Sequence, residues 1–521
     1  MTPAGRAASG VLAASCVSTF VVNANTSAVS ILLPAISDDT GASLSSLQWA
    51  VTGYSLVGAA VIVTSGALGD IFGRRRIFIA GLLLFVASCI LIALAHSGGL
   101  VIAGRAIQGA AGSTILACGL SLLSAASSGA QQMRLVSLWG AASAAGAAAG
   151  PLVGGVLVDA TGWQGLFWID AGIAAATIPL TLRTVGESRD PSRPRSIDFG
   201  GTLLVAGILV PFVFAVTEGA QWGWLSAQTL VCIAVSVVCL FAFVAVERRV
   251  RAPLIDLTML QNKLLVGSTV AILLCAGCIN AVMYITSLYF QDPATLKMSP
   301  LTAGLATLPA AAGIVVTAPL ITPFVRRVGS RTVIVAGFTA ATIGLGALGF
   351  TESSWKYAAL VGPLVVIAAG LGLGNGPASS IATACVPEDQ VGAASGISNM
   401  GRYVGAAVLT SVTAAVYNTV TTNHRDGGAS ASASLAYGFS RAAIALAVFC
   451  ACGIALAALV GRHRADQAGP IHYAAAAAAT SHTVPTSPTK GVPAAPPQDA
   501  RPAPIAENLP IRPEAPPRTA P

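Results

Sequence analysis

Charge is what this chain has least of. Only 9% of its 521 residues are Asp, Glu, Lys or Arg, against the roughly 25% that a soluble domain needs for a surface facing water. A string of soluble domains is therefore excluded. The net charge of +8 and pI near 9.1 do not indicate nucleic acid either, because the basic residues sit in short clusters between apolar runs. Histidine is scarce: His96 falls at the end of one run and His424, His463, His472 and His482 outside them, so no buried metal centre is expected. Ten cysteines lie in apolar stretches, and the Cys275–Cys278 pair has no second pair or nearby histidine, which reads as packing rather than zinc or redox chemistry. No paired mid-membrane carboxylates, zinc set or nucleophile motif appears, so an enzyme is not expected. The glycine-rich Gly370–Gly376 run follows no strand, and neither a nucleotide site nor any other cofactor is expected.

What is present is apolar length. Hydrophobic residues make up 55% of the chain and the mean hydropathy is +0.77. A helix crosses the hydrocarbon core with about 20 mostly apolar residues. Such runs occur near 11–34, 46–69, 76–96, 99–123, 134–158, 165–183, 200–217, 226–246, 264–290, 300–323, 332–350, 357–380, 391–417 and 440–461, fourteen in all. They are continuous rather than alternating, which excludes a β-barrel. The fold class is all-α and integral to the membrane, with the lipid bilayer as its surroundings.

The loops set an orientation. With the amino terminus in the cytoplasm, the inward segments hold eighteen basic residues, and the outward ones only Lys297, Lys356, Arg425 and Arg441. This satisfies the positive-inside rule and places both termini in the cytoplasm of a multi-pass cell-membrane protein. The first run is too long for a cleaved signal peptide and lacks a strong basic leader. The chain divides into residues 11–183, with six spans; 184–263, two spans between basic linkers; and 264–461, six more. Residues 465–521 carry twelve prolines from Pro485 onward and are expected to be a disordered cytoplasmic tail. Gly73-Arg74-Arg75-Arg76 and Gly329-Ser330-Arg331 follow the second span of each six-span group, a faint internal repeat. Paired halves of this kind suit a secondary transporter with a site at the midplane.

Three motifs then fall in order. Gly66-Ala67-Leu68-Gly69-Asp70-Ile71-Phe72-Gly73-Arg74-Arg75-Arg76 resembles the loop after span two of the major facilitator superfamily. Asp70, read as the only acid beside three arginines, suits a charge-assisted latch. Arg105-Ala106-Ile107-Gln108-Gly109 resembles the superfamily's R-x-x-Q-G motif in span four. Gly146, Gly150, Pro151, Gly154 and Gly155 in span five match the G-x-x-x-G-P-x-x-G-G pattern associated with its drug antiporters. Gln48-Trp49, Thr52, Tyr54, Trp222-Gly223-Trp224, Glu247, Pro253–Leu257, Ser299-Pro300, Gly304, Asn399 and Arg402 fit the fourteen-span drug:proton branch. The likeness covers about residues 11–461. It implies two six-helix bundles with two extra linking helices, and proton-driven export of drugs, antibiotics or a self-made metabolite by alternating access. The proton gradient, not a cofactor, supplies the energy.

Two departures bear on mechanism. Asn25 stands where that branch usually has a span-one aspartate, and Trp163–Asp170 differs from its usual W-R-W-x-F. Without a titratable residue 25, the alternating proton falls to Asp170 or Asp70, with Arg105 and Gln108 as coupling partners. Asp170 reads either as a proton carrier or as a cap at the start of span six. The missing acid also keeps open a non-transporting membrane sensor. Asn25, Gln48, Trp49, Tyr54, Asn280, Gln291, Asn375, Asn399 and Arg402 are the cavity candidates, and the neutral amides among them serve equally as interhelical hydrogen-bonders.

Overall fold

A computed structural model describes residues 3–126, 129–189, 198–250, 253–387 and 390–460. The expected tail at 465–521, and the Arg193–Arg195 part of the first linker, lie outside them.

The described chain forms fourteen long α-helices. The first six are α1 (Pro3–Thr40), α2 (Leu44–Phe72), α3 (Arg74–Ala93), α4 (Gly98–Ala125), α5 (Gly129–Thr161) and α6 (Gln164–Thr184). A pair follows, α7 (Phe199–Trp222) and α8 (Ala227–Glu247). The last six are α9 (Lys263–Gln291), α10 (Pro300–Val328), α11 (Ser330–Leu348), α12 (Tyr357–Ala384), α13 (Val391–Asp426) and α14 (Ala431–Val460). Among the described residues, thirteen helices are long and apolar enough to cross a membrane. Helix starts follow local chemistry. Ser43, Ser97, Asp198, Ser226, Asn262 and Ser299 each cap a helix by accepting a backbone N–H, and Pro300 begins α10 where a missing N–H costs nothing.

Helices α1–α6 pack as one bundle and α9–α14 as another, with the α7–α8 hairpin lying against α2 and α13. The turns before α3, α7, α9 and α11 share the arginine-rich face, called here the basic face. The turns at 41–43, 94–97, 223–226 and 427–430 lie on the opposite face. The internal repeat has a structural basis. Gly73 and Gly329 both turn with positive φ, 116° and 83°, a conformation that favours glycine. Two residues later Arg75 donates to Leu182 O near the end of α6, and Arg331 donates to Ala457 O and Ala458 O near the end of α14. Each bundle thus ties its third helix to its sixth in the same way.

One region departs from expectation. Helices α13 and α14 continue beyond the apolar limits at 417 and 440, so Arg441 is helical rather than in a loop, with its guanidinium 4.6 Å from the Tyr437 ring centre. Packing sustains them there: Gly438 lies so close to Tyr417 O and Thr421 that a β-carbon would collide.

Candidate functional site

The centre of the first bundle is a buried polar chain drawn from five helices. Asn25 of α1 and Gln108 of α4 are fully buried, Arg105 is 1% exposed and Asp170 of α6 is 4% exposed. Arg105 donates from one terminal nitrogen to Asn25 Oδ1 at 2.6 Å and to Gln108 Oε1 at 2.5 Å, and from Nε to Ala50 O of α2 at 3.0 Å. The Asn25 amide then donates from Nδ2 to Asp170 Oδ2 at 2.7 Å. Gln108 Nε2 donates to Cys89 Sγ of α3 at 3.0 Å. The Tyr54 ring of α2 lies under the guanidinium, 4.3 Å from its central carbon. An ionised group inside a membrane span costs about 2.5–3.5 kcal/mol or more unless it finds such partners.

This geometry decides what Asp170 is. It does not cap α6, whose N-cap is Trp163 with no side-chain cap bond; it projects into the bundle and accepts from Asn25. Asn25 is therefore not a vacancy left by a missing acid. Its carbonyl faces the cation and its NH2 faces the carboxylate, so the acid is reached one side chain further along.

The glycines of the second and third motifs let these helices meet. A β-carbon on Gly109 would strike Tyr54 O, holding α4 against α2. Along α5, a β-carbon on Gly146 would strike Phe20 O, on Gly150 it would strike Ser27 Oγ and Ala24 O, and on Gly154 it would crowd Leu32 and Ala28, all of α1. Gly155 faces the second bundle instead, against Pro300 O and Leu301 of α10, while Gly304 of α10 faces Pro151 O. Pro151 sits inside an α5 that stays helical on both sides of it.

Cross-bundle contacts reinforce that seam. Ser287 Oγ of α9 donates to Ser30 O at 2.5 Å, and Gln291 Nε2 donates to Ile31 O at 3.2 Å, both toward the opposite face. Tyr54 and Tyr403 of α13 have ring centres 6.3 Å apart, and Gly58 leaves room for the Tyr403 ring. Helices α4 and α12 have no extended contact with the other bundle.

At the basic face, Asp70 pairs with Arg74 at 2.9 Å. It is not the only acid there, contrary to the sequence reading. Glu187, which follows α6, accepts from Arg75 N at 3.1 Å and lies 3.6 Å from Arg76 Nε. Gly73 is needed twice over, for its positive φ and because a β-carbon would press on the Glu187 carboxylate. Gly66 has open space around it. Glu187 lies beyond the apolar limit of span six, and nothing local in the sequence marks it as a partner of residues 75 and 76.

The remaining candidates separate. Gln48 and Trp49 line a pocket of about 350 Å³ at the opposite face with Phe214, Thr217, Glu218 and Asn418, and Trp49 Nε1 donates to Glu218 Oε1 at 3.3 Å. Asn280 and Asn399 donate back to their own helices, at Ala276 O and Ser395 O. Gln291 bridges the bundles. Asn375 Oδ1 is buried with no donor in reach, and Arg402 is half-buried on α13.

Comparison with known proteins agrees with this architecture. A family model described as Major Facilitator Superfamily matches residues 15–410. The chain is 33% identical over 392 residues to the Multidrug resistance protein Stp of Mycobacterium tuberculosis (strain CDC 1551 / Oshkosh), covering 74% of this chain and 72% of that one. It is 28% identical over 401 residues to the Tetracenomycin C resistance and export protein of Streptomyces glaucescens, covering 77% and 74%. It is 30% identical over 452 residues to the Cephamycin export protein CmcT of Amycolatopsis lactamdurans, covering 85% and 90%. Among solved structures, a crystal structure of an auto-inhibited POT family peptide transporter superposes with a TM-score of 0.63 at 16% identity, covering 88% of this chain and 97% of that one. That likeness concerns the fold alone.

Proposed function

The chain belongs to the major facilitator superfamily, and from that premise we propose that it exports amphipathic small molecules, drugs or antibiotics, in exchange for protons. The bundles at 11–183 and 264–461 rock about the seam between them, and residues 184–263 form the inserted hairpin and its linkers. The basic face is cytoplasmic, both termini lie on that side, and the membrane is the cell membrane.

The observation that carries this reading is the buried chain Arg105–Asn25–Asp170. Antiport needs a group whose protonation alternates with the occupancy of the site. Asp170 is the carboxyl set deepest in the first bundle, and Asn25 ties it to the cation of α4. When Asp170 is ionised, the amide links opposite charges, and α1, α4 and α6 are held in one arrangement. When Asp170 takes a proton, that link loses its charge assistance and the three helices are freer to repack. Asp70 and Glu187 hold the cytoplasmic turn of the same bundle to Arg74, Arg75 and Arg76, which makes that turn the latch of one conformation. The sensor reading drew on the lack of a span-one acid; Asp170 at the Asn25 amide supplies an acid beside that position and supports the export reading.

The test is efflux of ethidium from cells that express the protein, with and without an uncoupler. Export that exceeds the control and collapses with uncoupler is the expected result. No export above control, or export indifferent to uncoupler at constant ATP, contradicts the reading.

A further inference from the structure

The first bundle balances its deep charges internally, since Arg105 reaches Asp170 through Asn25. The second bundle does not. Arg402 lies at the twelfth residue of α13, about 16 Å along the axis from its start at 1.5 Å per residue. Among the described residues it has no ion pair and no hydrogen bond, the salt bridges there being Asp70–Arg74 and Glu187–Arg76.

Its direction follows from its neighbours. Gly401 and Gly405 present α13 to α9, where β-carbons would press on Thr269 and Leu273. Tyr403 and Gly396 present it to α2, beside Gly58 and Val63. At 100° per residue, Arg402 lies on the arc between those two contact faces, and Ser395 and Asn399 share that arc. Cys275 of α9 interacts electrostatically with the guanidinium, as does Tyr403, and the Cys275 Sγ also packs at Gly374 of α12. Arg402 thus lies on the side of α13 between its α9 and α2 contacts, beside Cys275, which in turn packs against α12. Asn375 of α12, the residue after Gly374, has a buried oxygen with no donor in reach.

A guanidinium held at this depth without an acid persists where an anion meets it. Its planar fork suits a two-oxygen acid group. We propose that Arg402 receives the acidic group of the exported compound, a carboxylate or sulfonate, and that Asn375 accepts from a hydroxyl or amine carried beside it. The cargo then includes amphipathic organic anions, bound with the aromatic body toward Tyr403 and Tyr54, beside cations such as ethidium that do not use Arg402. This rests on the export reading only in taking the anion to be cargo.

The test uses the purified full chain in neutral detergent and two dyes of one skeleton, 8-anilinonaphthalene-1-sulfonate and the uncharged N-phenyl-1-naphthylamine, with binding read by equilibrium dialysis. The ratio of sulfonate to neutral affinity is expected to fall at least ten-fold in Arg402→Gln and to recover in part in Arg402→Lys. An unchanged ratio, including equal loss of both dyes, overturns the proposal, as does a wild-type protein that binds the sulfonate no better than Arg402→Gln does. Displacement of the sulfonate by phosphatidylglycerol, with no Arg402-dependent export of the dye from vesicles, assigns the anion to lipid and also overturns it. The assay needs no gradient. Arg402-dependent binding without ethidium export therefore counts against the export reading and leaves the anion site standing.

Discussion

Asn25 and Asp170, 145 residues apart, meet through a 2.7 Å hydrogen bond from amide to carboxylate, and the same amide accepts from Arg105 at 2.6 Å. Hydrogen bonds to charged groups contribute about 1.5–3 kcal/mol each, and removing one partner strands the other. Asn25→Ala should therefore lower the thermal unfolding midpoint of the purified protein and reduce export by at least ten-fold. A variant with unchanged midpoint and export shows that the amide is not the link.

Asn25→Asp gives the opposite kind of change. It creates two carboxyls within hydrogen-bond reach beside one arginine, and two such groups cannot both ionise freely. Export should persist, with a pH–activity profile displaced from that of the parent. A superimposable profile means that residue 25 does not communicate with the titrating group.

The turn at Gly73 on the basic face is held by two acids. Asp70 holds Arg74, while Glu187 holds the backbone of residue 75 and the side chain of residue 76. Asp70→Asn alone should impair export while leaving membrane insertion intact. Combined with Glu187→Gln it should lose more than the product of the single effects, because both hold one turn. Multiplicative losses make the two acids independent, and normal export by Asp70→Asn removes the latch altogether.

The α5 stripe is a matter of volume. Gly150→Leu places a branched side chain where a β-carbon already collides with Ser27 and Ala24. Overpacking costs about 1–3 kcal/mol and shifts backbones, so the variant should be inactive or leaky to protons. Gly155→Leu, at the seam with α10, should leave the first bundle folded yet hinder its closure on the second. Parental export by both variants shows that close approach is not required at either place.

Much of this was legible in the sequence, for a physical reason. Hydrophobic length marks the spans because the bilayer imposes it, and the glycine motifs mark close approach because no other residue lacks a β-carbon. The Gly73 and Gly329 turns could be matched because each repeats a local spacing. What was not legible is long-range. Nothing near Asp170 says that its partner is Asn25, and nothing near Glu187 points to residues 75 and 76. Hydropathy measures membrane thickness rather than helix length, so it stopped short of the continuation of α13 and α14 that carries Arg441. The placing of Gln48 and Trp49 at the opposite face, beside Glu218 of the inserted hairpin, depends on a packing of α7 that no local pattern specifies.

The account turns on whether Asp170 carries the proton that drives export. The direct measurement is ethidium uptake into proteoliposomes under an imposed pH gradient, acid inside, comparing the parent with Asp170→Asn. Uptake against the dye gradient by the parent, lost in Asp170→Asn while dye binding and gradient-free exchange continue, is the predicted result. Equal gradient-driven uptake by Asp170→Asn contradicts it.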